Sequence, residues 1–423
     1  MIAIESFAAS VAMPAAAREV GGLSLYGWVF SAFFLSMVAA MAMAGSLASR
    51  GAHRPFWLGN ILFALGLFVA GTSSDIRLIL SARALQGFGS GFASAATYAI
   101  VSVSFAPEIR ARMIALISSA YAIPALIGPA WAVFVTEQYG WRWVFLVLAP
   151  FPLLSMFMIK RVPGDSSVES NQTRSLMYPA LLLGSGIALI SMGITLFTQG
   201  QTFAIGLMLP GVPFCFLGLR GLISRRGSMF RRIFASMLLL NVGFFGIDAI
   251  LPLLLQITRH GNLFLAGFAL TAAAIAWITA SWIQSKLLER LGRRAFVTAG
   301  ALLTIFGIVV TAVSFSPAWP EVLSIIGWGI AGGGMGFASN TLSLLGMEQA
   351  DGRAEDVAII QLSGVIGMAV GTALSGAFIG SVNDQSELSG FRIVLMCAVL
   401  VLAIFPLPFL AIRFSSAQKA TIA

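Results

Sequence analysis

Charged residues are scarce in this sequence. Only 10% of the 423 residues are Asp, Glu, Lys or Arg, whereas hydrophobic residues make up 58% and the mean hydropathy is +0.94. A soluble globular protein is roughly one quarter charged, and this chain has too few charges to cover a water-exposed surface of its size. The composition therefore excludes a soluble fold and predicts a protein that lies in a bilayer.

Cysteine, histidine and enzyme motifs are also sparse. Both cysteines, Cys215 and Cys397, lie in apolar runs, which argues against a disulfide framework and against a thiolate metal site. The two histidines, His53 and His260, do not form a cluster of ligands. The sequence has no P-loop, HExxH or GxSxG pattern, so ATP does not drive it directly and no hydrolytic site is indicated. We expect no metal site, no cofactor and no enzymatic activity.

The charges that are present lie mostly between the apolar runs. Lys and Arg number 25 against 16 Asp and Glu, and the formal net charge is +9. Short basic clusters set the orientation of membrane spans, which explains this charge better than binding to nucleic acid does. With the N-terminus inside, 19 basic residues fall on the cytoplasmic side and 5 on the other side. We therefore predict that both termini are cytoplasmic.

Fourteen apolar runs have the length of transmembrane helices. A helix needs about 20 apolar residues to cross the hydrocarbon core, where only helices and closed barrels satisfy every backbone polar group. The runs lack the alternation of a barrel, so the sequence predicts an all-α integral membrane protein of about 14 spans. The predicted limits are 2–18, 24–46, 56–74, 79–104, 113–135, 143–159, 176–198, 202–219, 233–257, 263–285, 296–315, 321–346, 357–381 and 391–412.

Two hydrophilic stretches divide these spans into groups of six, two and six. The stretch from Lys160 to Arg174 is long and Ser-rich, and the stretch from Ser224 to Arg232 is short and basic. Long polar segments between apolar runs are typical of linkers. We therefore predict an N-terminal six-helix bundle at 1–160, a cytoplasmic linker at 161–175, two additional central spans at 176–222, a C-terminal six-helix bundle at 223–413 and a cytoplasmic tail at 414–423.

An internal repeat relates the two six-span groups. The loop after span 2 reads GSLASRGAHR, from Gly45 to Arg54, and the loop after span 10 reads SKLLERLGRR, from Ser285 to Arg294. At a fixed offset of 240 residues, the two loops share one Leu and two Arg positions. Such repeats are expected of secondary transporters, in which two bundles move about a site near the bilayer midplane.

These loops and several shorter motifs resemble the major facilitator superfamily. The loop signature of that family is G-x-L-A-D-R-x-G-R-R/K, and RALQGFGSG, from Arg83 to Gly91, is similar to its span 4 pattern R-x-x-Q-G-x-G. Gly128-Pro129 lies at the centre of its span 5 antiporter pattern. The two extra central spans and ILPLLLQ, from Ile250 to Gln256, resemble the 14-span drug:proton antiporter branch. The resemblance implies two six-helix bundles plus two central helices.

The same resemblance implies a conformational role for the loop and span 5 motifs. In the family, an acid-to-Arg contact in these loops helps to close the cytoplasmic side. The first loop has Ser49 in place of the acid, whereas the second has Glu289 beside Arg290, so we expect the second copy to hold the gate. The implied conformational residues are Gly45, Arg50, Arg54, Gly128, Pro129, Glu289, Arg290, Gly292, Arg293 and Arg294.

Three ionisable residues, Glu5, Arg83 and Asp248, lie within predicted spans. A charge at that depth costs at least about 2.5 to 3.5 kcal/mol, so it usually faces a cavity or a partner. Asp248 either exchanges a proton for substrate, or is held by a hydrogen bond to Asn241 or to a neighbouring helix, or lies close to the outer interface. Glu5 is either a proton site or a plain carboxylate near the cytoplasmic end of its helix. Arg83 either pairs with a carboxylate or with carbonyl groups, as the family's proton coupling implies, or extends to the interface.

Other polar residues at membrane depth are few: Gln86, Asn241, Gln256, Asn340 and Gln361. A site for one defined polar solute needs several such groups, so an apolar cavity is favoured. We predict a proton-coupled secondary transporter that exports hydrophobic or cationic small molecules, with Gln86, Asn241 and Gln256 beside the three ionisable residues.

Two alternatives remain open. One is a proton-coupled carrier of a specific metabolite or siderophore, and the other is a membrane enzyme or a receptor-like binding protein. The predicted partners are a small-molecule substrate, protons and the lipid bilayer, without nucleic acid. We expect a monomer in a cytoplasmic (inner) membrane.

The predicted topology can be tested with reporter fusions in the 160–175 and 224–232 loops. Two spans separate these loops, so a fluorescent-protein reporter should be active, and a phosphatase reporter inactive, at both sites. Opposite results at the two sites would mean that an odd number of spans separates them.

Overall fold

The computed structural model describes nine stretches of the chain. They are residues 2–22, 25–48, 53–104, 122–159, 174–198, 200–259, 263–350, 354–380 and 390–411. Every regular element in these stretches is an α-helix or a short 3₁₀ turn, with no strand among them. This confirms the predicted all-α fold class.

The chain divides into two compact units, one built from Met1–Arg225 with Ile379–Ser381 and the other from Arg226–Phe378 with Val382–Ala423. The two central helices, predicted as a separate insertion, group with the first unit. Its helices are α1 Ile2–Glu19, α2 Tyr26–Ala48, α3 His53–Thr72, α4 Ile76–Ser104, α5 Ala122–Tyr139, α6 Trp141–Leu148, α7 Pro150–Ile159, α8 Arg174–Thr198 and α9 Ile205–Ile223, with a 3₁₀ turn at Thr202–Ala204.

The second unit contains seven helices within the described ranges. They are α10 Ser228–Asp248, α11 Leu251–Thr258, α12 Leu263–Ser314, α13 Val322–Ala350, α14 Ala354–Gly380, α15 Gly390–Ile404 and α16 Leu407–Ala411. Helices α12 and α13 pack extensively on each other, and α10 packs on both α13 and α15.

The helices coincide with the predicted spans to within a few residues, apart from span 5, of which the described part begins at Ala122. By length and composition, nine helical runs in the described chain are apolar enough to cross a membrane. One of them, Leu263–Ser314, contains two predicted spans, joined through Gly292, whose φ of 78° is left-handed. Helices α1, α4 and α5 and the shorter apolar run formed by α6 and α7 lie outside those nine.

Three predicted spans differ from the structure because each is broken into two helices. The breaks fall between α6 and α7, between α10 and α11, and between α15 and α16. A proline lies at or next to each break: Pro150, Pro252 and Pro406. Proline has no N–H and its ring clashes with the preceding turn, so it interrupts the helical hydrogen-bond ladder.

Glycines in the span 4 motif allow α4 to lie very close to two neighbouring helices. A Cβ atom added to Gly87 would lie 2.1 Å from the Phe33 carbonyl oxygen of α2, and one added to Gly89 would lie 2.5 Å from the Gly59 carbonyl oxygen of α3. Small residues at helix contacts allow this approach in membranes, where the lipid supplies no hydrophobic drive between helices. The motif therefore sets the position of α4, and with it the position of Arg83.

Replacing Gly87 with Ala tests this close contact. The added methyl group must displace the α2 backbone, so Gly87→Ala should destabilise the protein by about 1 to 3 kcal/mol. Gly184 is a matched control, because its added Cβ meets only the Val38 side chain, at 3.8 Å. Gly184→Ala should be neutral or stabilise α8 by up to about 1 kcal/mol. Unfolding in detergent, followed by tryptophan fluorescence, measures both; equal effects would contradict the packing argument.

Candidate functional site

Arg83 is the centre of a buried polar cluster in the first unit. It lies on α4 with a relative exposure of 2% and forms an ion pair with Glu5 of α1, whose exposure is 0%. Arg83 Nη1, the atom that pairs with Glu5, also donates to Gln86 Oε1 at 2.5 Å. Arg83 Nε donates to the Val29 carbonyl oxygen of α2 at 3.2 Å. The guanidinium lies 4.5 Å from the ring centroid of Phe33. Three helices therefore meet at this one cation.

The contacts of this cluster show which partners Arg83 and Glu5 have, a point that the sequence left open. The Arg83 side chain is not extended to an interface, because its donors point at protein acceptors. Its partners include both a carboxylate and a carbonyl group of a neighbouring span. Glu5 is not an exposed carboxylate, since its side chain is enclosed by protein.

Two polar atoms of this cluster are left without a hydrogen-bond partner. Glu5 Oε2 and Gln86 Nε2 are both buried, and neither has a partner in the described part of the structure. Burying an unpaired polar atom costs roughly 1 to 3 kcal/mol, so its presence calls for an explanation. A free carboxylate oxygen beside an ion pair is a place where a proton can bind and release the pair.

Asp248 occupies a different environment in the second unit. It is the last residue of α10 and is half-buried, and its Oδ1 atom accepts a hydrogen bond of 3.2 Å from Trp328 Nε1 of α13. Trp328 is fully buried and stacks on Phe244, with ring centroids 4.7 Å apart. The hydrogen bond to a neighbouring helix was one of the open alternatives; Trp328 itself was not predicted.

The other predicted polar residues do not join either acid directly. Asn241 is buried and donates to the Met237 carbonyl oxygen of its own helix at 2.7 Å, not to Asp248. Gln256 of α11 is also buried, and its Nε2 atom has no partner within the described ranges. The structure therefore separates Asn241 from Asp248 and leaves Gln256 with an unused donor.

Residues 49–52 of the first loop motif, which include Ser49 and Arg50, lie outside the described residues. Gly45 lies near the end of α2, and Arg54 is exposed in the first turn of α3. Gly128 and Pro129 are buried in α5, and a Cβ atom on Gly128 would meet the Phe7 side chain of α1 at 3.4 Å. The span 5 motif therefore packs against the helix that carries Glu5.

The second loop motif forms an ion pair that the sequence did not predict. Glu289, Arg290 and Arg294 are exposed, and none of them has an ion pair with another described residue. Arg293 pairs with Glu348 near the end of α13. Gly292, whose φ of 78° is left-handed, lies directly before Arg293. The gate role expected of Glu289 stays a prediction.

Further arginine contacts were not predicted, because they join residues far apart in sequence. Arg226 Nε pairs with Asp356 Oδ1 at 2.6 Å. Arg259 donates to the carbonyl oxygens of Ser316 and Trp319, both at 2.7 Å, and so ties α11 to the segment after α12. No local pattern in the sequence distinguishes these arginines from those that only set orientation.

A partly exposed contact of the first unit joins the end of α1 to the start of α6. Arg142 Nη1 and Glu19 Oε1 are 2.5 Å apart, and Trp141 Nε1 donates to Glu19 Oε2 at 2.8 Å. The hydrogen bond from Arg142, together with that from Trp141, lowers the pKa of Glu19 below its ordinary value. The stability that this contact contributes is fully present above the ordinary pKa of a glutamate. It is lost as the pH falls through the lowered pKa of Glu19.

Two units of closely packed apolar helices, each with an ionisable side chain among its helices, are typical of a helical membrane transporter. Comparison with known proteins also indicates a membrane transporter. The family profile of the Major Facilitator Superfamily matches residues 1–372. The chain belongs to this superfamily, and it is therefore a multi-pass membrane transporter of small molecules and not an enzyme.

Several curated relatives are named for drug resistance. The chain is 24% identical to the Multidrug resistance protein B homolog of Mycobacterium tuberculosis, over 86% of this chain and 71% of the relative. It is 22% identical to the multidrug efflux pump SdrM of Staphylococcus aureus (77% and 75%). It is 23% identical to Multidrug resistance protein 3 of Bacillus subtilis (91% and 79%).

Solved structures share the fold at low sequence identity. The POT family transporter PepTSo has a TM-score of 0.70 at 13% identity, covering 98% of this chain and 97% of that one. The xylose transporter XylE from E. coli has a TM-score of 0.58 at 16% identity, with 96% of each chain covered. At these identities the likeness concerns the fold alone.

The energetic role of the buried ion pair can be measured with a double-mutant cycle. Removing one partner leaves a buried group uncompensated, so Glu5→Gln or Arg83→Met should each lower stability by about 3 to 5 kcal/mol. The double variant should lose less than the sum. As a control, Glu19→Gln in the partly exposed pair with Arg142 should cost about 1 kcal/mol or less. Additive losses for Glu5 and Arg83 would show that the two residues are not coupled.

Proposed function

We propose that this chain is a proton-coupled exporter of hydrophobic or cationic small molecules, of the multidrug antiporter type. It would act as a monomer in a cytoplasmic (inner) membrane with both termini inside, exchanging protons for a small-molecule substrate. The names of the curated relatives support the substrate class. The low content of polar groups at membrane depth supports it independently, since a site for one defined polar solute needs more of them.

The observation that carries the proposal is the buried cluster of Glu5, Arg83 and Gln86. A proton on Glu5 removes one charge of the ion pair and so removes most of its Coulombic attraction. Arg83 is then held by the Val29 carbonyl oxygen, by Gln86 and by the face of Phe33. The cluster thus has a paired and an unpaired state that differ by one proton.

The position of the cluster connects this switch to helix movement. Arg83 bonds α1, α2 and α4 to one another, and Gly87 on the same α4 face lies against the α2 backbone. Small residues at a helix contact let the two backbones approach closely, and at Gly87 no side chain of α4 stands between α4 and α2. Release of the Glu5 pair would loosen α1, and a substrate that favours the loosened state would be coupled to protonation.

The predicted polar residues of the two units are given separate roles. We assign proton coupling to Glu5, Arg83 and Gln86 in the first unit, and substrate contact to Asp248, Asn241 and Gln256 in the second unit. The loop and span 5 motifs keep their proposed conformational role, and the Arg293–Glu348 contact is added to it.

The test is transport by the purified chain in liposomes under an imposed pH gradient. Wild-type protein should move a fluorescent lipophilic dye with a matching proton flux, whereas Glu5→Gln should abolish the proton flux, because an amide cannot take up and release a proton at this pH. Glu137→Gln removes an exposed acid of the same unit and should transport normally.

Two outcomes would contradict the proposal. Proton movement retained in Glu5→Gln would exclude the cluster from coupling. Proton-coupled movement of one polar metabolite, with no movement of dyes, would favour the metabolite carrier instead.

A further inference from the structure

A pocket opens at one end of the second unit, between the start of α10 and the break that separates α15 from α16. Its volume is about 490 Å³, and its lining residues are Arg232, Phe405, Pro406, Phe409 and Leu410. Helix α10 packs on both α15 and α16, so the pocket lies within one set of contacting helices. These residues differ from those to which we assign proton coupling or substrate contact.

A proline break forms one side of this pocket. Helix α15 ends at Ile404, Phe405 and Pro406 follow outside the helices, and α16 begins at Leu407. Pro406 has no N–H, so it interrupts the helical hydrogen-bond ladder at this point. The apolar lining therefore comes from the break itself and from the short helix that follows it.

Arg232 supplies the charge of the lining. It lies half-buried near the start of α10 and forms no ion pair with another described residue. Other arginines of the same basic stretch differ from it: Arg226 pairs with Asp356, and Arg231 is exposed and does not line the pocket. Water and salt screen a partly buried charge less than an exposed one. The pocket therefore favours an anionic ligand.

The apolar walls determine which kind of anion fits. Phe405 is 56% exposed and Phe409 is 61% exposed, and together with Leu410 they place an apolar surface beside the cation. A small inorganic anion gains nothing from such a surface, whereas an acyl chain is removed from water by contact with it. A phospholipid carries a phosphate next to its acyl chains and so matches both parts of the pocket.

The position of the pocket along the helices agrees with this ligand. Arg232 directly precedes the predicted span 233–257, and Phe405 to Leu410 lie near the end of the predicted span 391–412. In the predicted topology both positions are at the cytoplasmic boundary. The cytoplasmic leaflet carries anionic lipids, and basic pockets between transmembrane helices on that side bind their head groups.

We propose that this pocket binds one anionic phospholipid of the cytoplasmic leaflet. The Arg232 guanidinium pairs with the lipid phosphate, and an acyl chain lies against Phe405, Phe409 and Leu410. A zwitterionic lipid binds less tightly, because the cation of its own head group competes with Arg232 for the phosphate. The site is separate from the proposed export function, since its ligand is a lipid that stays in the membrane.

The test is lipid binding to the purified full-length chain in detergent, followed by native mass spectrometry during a lipid titration. The anionic probe is dioleoyl-phosphatidylglycerol, and the zwitterionic probe is dioleoyl-phosphatidylcholine, which has the same acyl chains. Arg232→Gln should weaken binding of the first phosphatidylglycerol by about fivefold or more, and binding of phosphatidylcholine by less than about twofold. Arg232→Lys should retain most of the binding, because it keeps the charge. Arg231→Gln is the matched control and should bind both lipids as the wild type does.

A variant of the apolar wall tests the acyl-chain contact separately. Phe409→Ala removes apolar surface from the pocket and should weaken binding of both lipids by about threefold or more. Inorganic phosphate in excess should not displace phosphatidylglycerol from the wild type, because it makes no contact with the apolar walls.

Four results would overturn the inference. Equal phosphatidylglycerol binding by wild type and Arg232→Gln would exclude Arg232, and equal losses in Arg231→Gln and Arg232→Gln would assign binding to the basic surface as a whole. Equal affinity of the wild type for both lipids would remove the selection for charge. Displacement by inorganic phosphate would make the pocket a phosphate site. If Arg232→Gln lowers the unfolding temperature, Phe409→Ala decides, and unchanged lipid binding by that variant would contradict the proposal.

Discussion

Hydrocarbon offers no hydrogen-bond partners, and this constraint shapes the whole chain. Each backbone N–H and C=O group must be satisfied within the protein, which is why the described residues are helical almost throughout. The same constraint makes each interruption costly. Pro252 has no N–H, so the carbonyl oxygen four residues before it lacks its helical hydrogen-bond donor. The helix therefore breaks beside Asp248, a residue to which we assign substrate contact.

Side chains are subject to the same cost. An ionisable group surrounded by protein persists only if partners compensate for its lost hydration. Arg83 meets this requirement with a carboxylate, an amide, a carbonyl oxygen and an aromatic face. Asp248 meets it only in part, with one indole N–H and partial exposure. The difference in compensation leads to the two proposed roles, a proton switch at Glu5 and a substrate contact at Asp248.

Close helix packing links these sites to movement. Lipid supplies no hydrophobic drive between helices, so contact depends on backbones that approach closely. Gly87 and Gly89 provide that approach for α4, and Gly332 provides it in the second unit, where an added Cβ would lie 2.2 Å from the Ala273 carbonyl oxygen. At each of these contacts one helix contributes only backbone atoms, which suits a protein whose helices shift during transport.

The sequence by itself determined the membrane class, the span limits and the residues that could carry charge inside the bilayer. These follow from composition and from local spacing, because hydrocarbon penalises polar residues wherever they occur along a span. Glu5, Arg83, Gln86 and Asp248 could be selected on that ground alone. Their partners could not. Glu5 and Arg83 are 78 residues apart, and Trp328 is 80 residues from Asp248, so no local pattern reports these contacts. Only the tertiary structure decided that Arg83 has an acid and Asp248 an indole as its partner, and that Arg293 pairs with Glu348. The physical reason is that pairing depends on which helices come into contact, and that depends on packing between distant segments.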